Sequence, residues 1–126
     1  MQLKPTPLQL AYNDLELGIF FHFGIRTFNE HHRDWDMKHM ELSSFNPTQL
    51  DCEAWMHDVV RMGGKYTVLT TKHHDGFCLW PNPESRHTVA QSSWRDGKGD
   101  VLKELSDACR EYGLKFGIYI SPWDQN

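Results

Sequence analysis

The sequence predicts an α/β fold in which helices alternate with the strands of a parallel sheet. Three short apolar runs with the character of strands are separated by two stretches whose apolar residues recur at helical spacing. Such alternation is typical of βαβ units, whose strands run parallel. The 126 residues are about the length of one ordinary domain, so we treat 1–126 as a single domain.

The first half of the chain contains one strand, one long loop and one helix. The strand LGIFFHFG, at 17–24, is a continuous apolar run of the kind that is buried on both faces of a sheet. The polar stretch 26–47 has no regular period, which predicts a loop, and loops of this length are usually functional. An amphipathic helix follows, with Thr48 or Asp51 as its N-cap and a glycine pair from Gly63 at its end.

The second half contains two strands and one helix. KYTVLTTK, at 65–72, and LKFGIYIS, at 114–121, are the second and third strands. Between them lie a loop rich in turn residues and a helix that begins after Asp100 and ends at Gly113. The order of elements is therefore that of consecutive βαβ units.

Composition excludes several kinds of partner. The 17 acidic and 13 basic residues give a formal net charge of -4, without the basic face that binding to nucleic acid needs. No apolar stretch approaches the ~18 residues of a membrane span. If Met1 is the native start, the lack of an export signal predicts a cytoplasmic protein. Three cysteines without a CxxC motif are expected to be reduced core thiols: Cys52, Cys78 and Cys109.

Each predicted strand ends in polar or aromatic side chains. The carboxyl ends of parallel strands share one edge of the sheet, and the loops that bind ligands converge there. The side chains in question are His22 after the first strand, His73, His74 and Asp75 after the second, and Trp123, Asp124 and Asn126 after the third. This agreement predicts a functional site at that edge.

The segment KHHDGF, at 72–77, allows a metal site, an acid/base centre or a set of donors for a polar ligand. Neighbouring side chains on an extended chain point apart, and neither an HxH nor an HExxH spacing occurs. We therefore expect no metal, although a Zn or Mn site that also used loop histidines stays an alternative. The other histidines are expected to be surface or loop residues: His31, His32, His39, His57 and His87. No glycine-rich phosphate loop occurs, and no cofactor is expected.

Several stretches together resemble the amino-terminal part of the family 29 glycoside hydrolases, the α-L-fucosidases. They are FFHFGIRTF, DWD, FNPTQLD, KYTVLTTKHHDGFCLWP, SSWRDGKGDVLKEL and YGLKFGIYISPWDQN. The stretches GKGDV and ISPWDQN are closer to the subgroup that cleaves α-1,3/1,4-linked fucose. Because a (β/α)₈ barrel needs ~200 residues or more, the resemblance implies that 1–126 is the first three βα units of such a barrel, incomplete in this chain.

The resemblance also implies a fucose-binding site. The strand-one histidine of the family falls on His22, and its histidine pair falls on His73 and His74. A Glu-Trp pair of the first βα loop falls near Asp34 and Trp35, with Glu30 as an alternative carboxylate. Further substrate contacts are expected from Trp80, Trp123 and Asp124.

Catalysis is expected to come from outside this segment. Retaining glycoside hydrolysis needs two carboxyl groups about 5 to 5.5 Å apart. In the family the nucleophile follows the fourth strand and the acid/base lies later, so both are expected beyond Asn126 and the isolated chain is expected to be inactive. The expected partners are a fucosylated oligosaccharide and, for stability, the remainder of the barrel or a second copy. A non-catalytic sugar-binding fragment and a metal-dependent barrel hydrolase stay as alternatives.

Overall fold

The computed structural model describes residues 3–29, 36 and 38–126, in which three helices alternate with three strands. In chain order the elements are α1 Pro7–Asn13, β1 Gly18–Phe21, α2 Cys52–Arg61, β2 Tyr66–Lys72, α3 Val101–Glu111 and β3 Lys115–Ile120. Short 3₁₀ turns lie in the loops at Ile25–Phe28, Leu42–Ser44, Val89–Gln91 and Trp94–Gly97.

The three strands form one parallel sheet in the order β1-β2-β3. Gly18 of β1 pairs with Tyr66 of β2, which pairs with Lys115 of β3. The register shifts between Thr70 and Lys72, near the carboxyl end of β2. The predicted α/β alternation and the parallel sheet are confirmed.

Both long helices begin and end at the residues that their sequence indicates. Asp51 caps α2 by accepting the N–H of Ala54 at 2.9 Å, so Thr48 is not its cap. Asp100 caps α3 in the same way, with a 2.8 Å bond from the N–H of Lys103. Each helix is followed by a glycine in the left-handed region, Gly63 at φ 85° and Gly113 at φ 68°.

The helix α1 was not predicted. Thr6 and Gln9 form a reciprocal capping box around its first turn, and Pro7 occupies a first-turn position that suits its fixed φ. Near its end the Tyr12 hydroxyl lies 3.0 Å from that of Tyr66, the first residue of β2. The helix therefore contacts the edge of the sheet opposite to the predicted site.

The core lies between one face of the sheet and helices α2 and α3. Met56 of α2, Leu69 of β2 and Leu105 of α3 are fully buried there. Phe21 of β1 stacks on Trp55 of α2 with ring centroids 4.7 Å apart. The three cysteines are free and buried, as predicted. Among the described residues, no helix is long and apolar enough to cross a membrane.

The prediction that the first strand is buried on both faces is wrong for this chain. Phe20 of β1 is 55% exposed, and Ile118 and Ile120 of the edge strand β3 are 52% and 49% exposed. The helix α2 packs on the opposite side of β1, where Phe21 meets Trp55. The continuous apolar run of β1 therefore includes side chains on the face of the sheet that α2 and α3 leave uncovered.

Candidate functional site

Three imidazole rings meet at the carboxyl ends of β1 and β2. His22 follows the last residue of β1 and His73 follows the last residue of β2, with ring centroids 4.5 Å apart. The His74 ring lies 4.2 Å from that of His73. We call the adjoining space the histidine cleft. It has a volume of about 260 Å³ and is lined by His22, Phe23, Gly24, Arg26, Thr27, His73 and Asp75.

The loop after β2 turns sharply, and this turn brings His73 and His74 together. The N–H of Gly76 donates to the carbonyl of His73 at 3.0 Å, and the N–H of Phe77 donates to Asp75 Oδ1 at 2.8 Å. The expectation that the two rings point apart assumed an extended chain, and β2 ends at Lys72. The pair therefore forms one continuous polar surface.

Residues of β3 and its following segment support the histidine pair. The Tyr119 ring stacks against that of His73 with centroids 5.7 Å apart. Nδ1 of His74 lies 2.6 Å from the hydroxyl of Ser121, which is 1% exposed. The N–H of Gln125 also donates to the carbonyl of His74 at 3.0 Å. Ser121, a polar residue directly after a strand, could have been found from the sequence and was missed.

Arg26 joins three segments at the wall of the cleft and was also missed. Its Nη1 donates to Asp36 Oδ1 at 3.2 Å, and its Nη2 donates to the carbonyl of Lys38 at 3.4 Å. Its Nε lies 3.5 Å from Asp75 Oδ2. The side chains of Arg26 and Asp75 are only 9% and 7% exposed. An arginine that interrupts the apolar run after β1 was the available signal.

A second ion pair fixes the segment after β3. Lys72 Nζ lies 2.8 Å from Asp124 Oδ2. Partial burial would raise the pKa of the Asp124 carboxyl, but the Lys72 ammonium and the Asn126 N–H together hold this pKa below its ordinary value. Gly76 at φ 77° packs so closely that an added Cβ would lie 2.3 Å from Asp124 Oδ1. Asp124 therefore lies against the histidine-bearing loop as a partner of Lys72.

Of the predicted sugar contacts, His22 and His73 line the histidine cleft, whereas His74 lies beside it, next to His73. The remaining predicted contacts among the described residues do not line it. Trp80 and Asp124 line a separate polar cleft of about 490 Å³ that also contains Lys72 and Arg86. Trp123 is 57% exposed. Asp34, Trp35 and the alternative Glu30 lie outside the described residues.

The remaining histidines are dispersed. His39 and His57 are exposed, whereas His87 lies in a loop but is only 8% exposed, and its burial lowers the pKa of its imidazole. His31 and His32 lie outside the described residues. Within the described part of the chain, no group of three His, Cys, Asp or Glu side chains could hold a metal ion.

A family model, curated proteins and solved structures all relate this chain to the α-L-fucosidases. The family model described as alpha-L-fucosidase matches residues 1–126. The chain is 40% identical over 122 residues to alpha-L-fucosidase 1 of Arabidopsis thaliana, a match that covers 97% of this chain and 24% of that protein.

Solved structures give the same result. A Bacteroides thetaiotaomicron protein assigned as an alpha-L-fucosidase matches with a TM-score of 0.94 and 46% identity, over 99% of this chain and 27% of that one. A mutant family 29 fucosidase of Ruminococcus gnavus, in complex with fucose, matches with a TM-score of 0.85 and 34% identity, over 97% of this chain and 25% of that one. The chain spans about a quarter of the length of these relatives.

Proposed function

This chain belongs to the α-L-fucosidase family, and from that premise we propose that its histidine cleft binds one L-fucose unit of a fucosylated oligosaccharide. The observation that carries the proposal is the meeting of His22, His73 and His74, whose neighbouring rings lie 4.5 and 4.2 Å apart. The cleft volume of about 260 Å³ is near the lower end of small-ligand sites, roughly 300 to 1,000 Å³, which suits a single sugar ring.

The chemistry of the cleft supports a neutral ligand rich in hydroxyl groups. A neutral imidazole offers one donor and one acceptor, and a sugar hydroxyl can be the partner of either. Phe23 is the apolar side chain among the residues that line the cleft, and it offers a surface for the methyl group of fucose. A cluster of lysines or arginines would instead have favoured an anionic ligand.

The reaction that we propose is retaining hydrolysis of α-L-fucosyl linkages. It needs a carboxylate nucleophile and a carboxylic acid/base about 5 to 5.5 Å apart. We propose that both come from residues outside 1–126 and that the three strands belong to a (β/α)₈ barrel completed by the remainder of the catalytic domain. We also propose that the enzyme is of the subgroup that cleaves α-1,3/1,4-linked fucose, because of the ISPWDQN and GKGDV stretches.

The test uses a complete family member that carries residues 1–126 as its matched segment, which we call the host enzyme. Replacing His73 or His74 by Ala removes one hydrogen bond to a neutral group, and kcat/KM for an aryl α-L-fucoside should fall roughly 3- to 100-fold. Asn keeps a donor and an acceptor, so the two His→Asn variants should lose less. His57→Ala is the matched control, since that side chain is 57% exposed on α2.

Each outcome separates the proposal from its alternatives. Full activity of the Ala variants would show that the two histidines have a structural role and do not bind the sugar. Activity restored to them by added Zn²⁺ or Mn²⁺ would instead indicate a metal-dependent hydrolase. A host enzyme that binds fucose through these histidines without turning over the fucoside would be a non-catalytic sugar-binding protein.

A further inference from the structure

The hydroxyl group of Ser121 lies between a backbone donor and an imidazole nitrogen. Its Oγ accepts the N–H of Trp123 at 3.1 Å and lies 2.6 Å from Nδ1 of His74. The N–H of Ser121 donates to the carbonyl of Lys72 at 2.9 Å, which fixes the serine against the end of β2. The residue is 1% exposed. Its hydroxyl is therefore held in place and shielded from solvent.

The donors and acceptors around this hydroxyl determine where the proton of His74 lies. A buried hydroxyl hydrogen needs an acceptor. The Trp123 N–H is a donor, and among the described residues Nδ1 of His74 is the only acceptor bonded to Ser121 Oγ. Ser121 therefore donates to Nδ1. A neutral imidazole that accepts at Nδ1 carries its own hydrogen on Nε2.

We infer that Ser121 is a positioning residue that holds His74 in the Nε2–H tautomer. His74 then presents a donor at the nitrogen that makes no hydrogen bond within the described part of the chain. The ligand atom that faces this nitrogen has to be an acceptor, such as a hydroxyl or ring oxygen, and not an ammonium group. That this atom belongs to fucose rests on the proposed function, whereas the tautomer does not.

The tautomer can be measured directly in the host enzyme without any sugar. Nitrogen-15 NMR of histidine-labelled protein distinguishes a protonated from an unprotonated ring nitrogen, and loss of one signal set in His74→Asn assigns the resonances. At a pH where the ring is neutral, we expect Nε2 protonated and Nδ1 unprotonated. In Ser121→Ala the preference should be lost, and Ser121→Thr, which keeps the hydroxyl, should restore it.

The matched control is Ser92→Ala. Ser92 is also buried, at 8% exposure, and its hydroxyl has the same pattern of bonds. It donates to the carbonyl of Val89 at 2.7 Å and accepts the N–H of Trp94 at 3.3 Å. Removing it should leave the His74 resonances and the kinetics unchanged. Ser121→Ala should lower kcat/KM for the aryl fucoside about 2- to 12-fold, the effect of one misplaced neutral hydrogen bond.

Two results would overturn the inference. The first is a wild-type protein with the proton of His74 on Nδ1. This measurement needs no Ser121 variant, so it decides the question even if Ser121→Ala does not fold. The second is a folded Ser121→Ala protein that keeps the Nε2–H tautomer, because the serine would then only fill space. A correct tautomer in a host enzyme that does not bind fucose would refute the proposed function and leave the role of Ser121 intact.

Discussion

Replacing Arg26 by Ala should destabilise the loops that form the histidine cleft by about 2 to 4 kcal/mol. The guanidinium group joins the turn after β1 to Asp36, to the carbonyl of Lys38 and to Asp75. Asp75 in turn accepts the N–H of Phe77, which closes the loop that carries the histidine pair. Loss of the guanidinium therefore reaches both sides of the cleft at once.

The magnitude follows from burial and geometry. The side chains of Arg26, Asp36 and Asp75 are 9%, 17% and 7% exposed, so water would compensate little for a lost partner. Removing one member of a well-formed buried ion pair costs about 3 to 5 kcal/mol, because the other charge is left uncompensated. The contacts here, at 3.2 and 3.5 Å, are longer than ideal charge-assisted bonds, which places the expected cost somewhat lower.

Amide hydrogen exchange of the host enzyme measures this effect at the loop itself. The Phe77 N–H should exchange about 30- to 900-fold faster in Arg26→Ala, the change in opening equilibrium that corresponds to the estimated cost. Arg26→Lys keeps the positive charge but lacks the planar guanidinium group, so its exchange rate at Phe77 should lie between those of the wild type and Arg26→Ala. Arg110→Ala is the control. The Arg110 side chain is 75% exposed beside Asp107, so its loss should leave the exchange rate at Phe77 almost unchanged. Exchange at Phe77 that is the same in both Ala variants would refute the reasoning.

Three further predictions concern backbone strain, pH and assembly. Gly76→Ala should lower the melting temperature of the host enzyme more than Gly113→Ala does: both glycines have positive φ, but only at Gly76 would the new Cβ meet Asp124. Equal losses would show that the close approach has no effect. The pKa of the Asp124 carboxyl is lowered on folding, so the ionised carboxylate stabilises the fold. This stabilisation is fully present above the ordinary pKa of 3.8 and is lost as pH falls through the lowered pKa. Acid-induced loosening of the segment after β3, followed by hydrogen exchange, should therefore be weaker in Asp124→Asn, and an identical pH profile would contradict this. The isolated segment should self-associate through its uncovered apolar surface, which includes Phe20 and Ile118, and a monomer with a cooperative melt in sedimentation and calorimetry would show otherwise.

Features set by local sequence could be predicted, because the residues that decide them are neighbours. Asp51 and Asp100 each bond to an N–H three residues ahead, so the helix starts are readable without the rest of the fold. The same rule should have revealed α1, whose Thr6 and Gln9 form a capping box. That helix is short and has no buried residues, so its sequence lacks the regular spacing of apolar residues by which the other helices were predicted.

Features set by contacts between distant segments could not be predicted in the same way. Arg26 meets Asp75 only because parallel pairing brings the ends of β1 and β2 side by side. His74 meets Ser121 for the same reason at the ends of β2 and β3. The alternation of strands and helices predicted that these ends share an edge, but not which side chains turn toward one another. That depends on the turn at Gly76, where the chain leaves the extended conformation.

Three carboxylates at this edge of the sheet are held in ion pairs. Asp36 and Asp75 both pair with Arg26, and Asp124 pairs with Lys72. A nucleophile has to approach the anomeric carbon, and an acid/base has to exchange a proton with the leaving oxygen. Asp75 lines the cleft, but each of these three carboxylates already pairs with a cation of a neighbouring loop, so we assign them to the orientation of the loops. The imidazoles of His22 and His73 line the cleft, and an imidazole does not form such an ion pair with lysine or arginine. This is the division of roles that we expect if this segment recognises the sugar and the carboxyl pair comes from elsewhere in the enzyme.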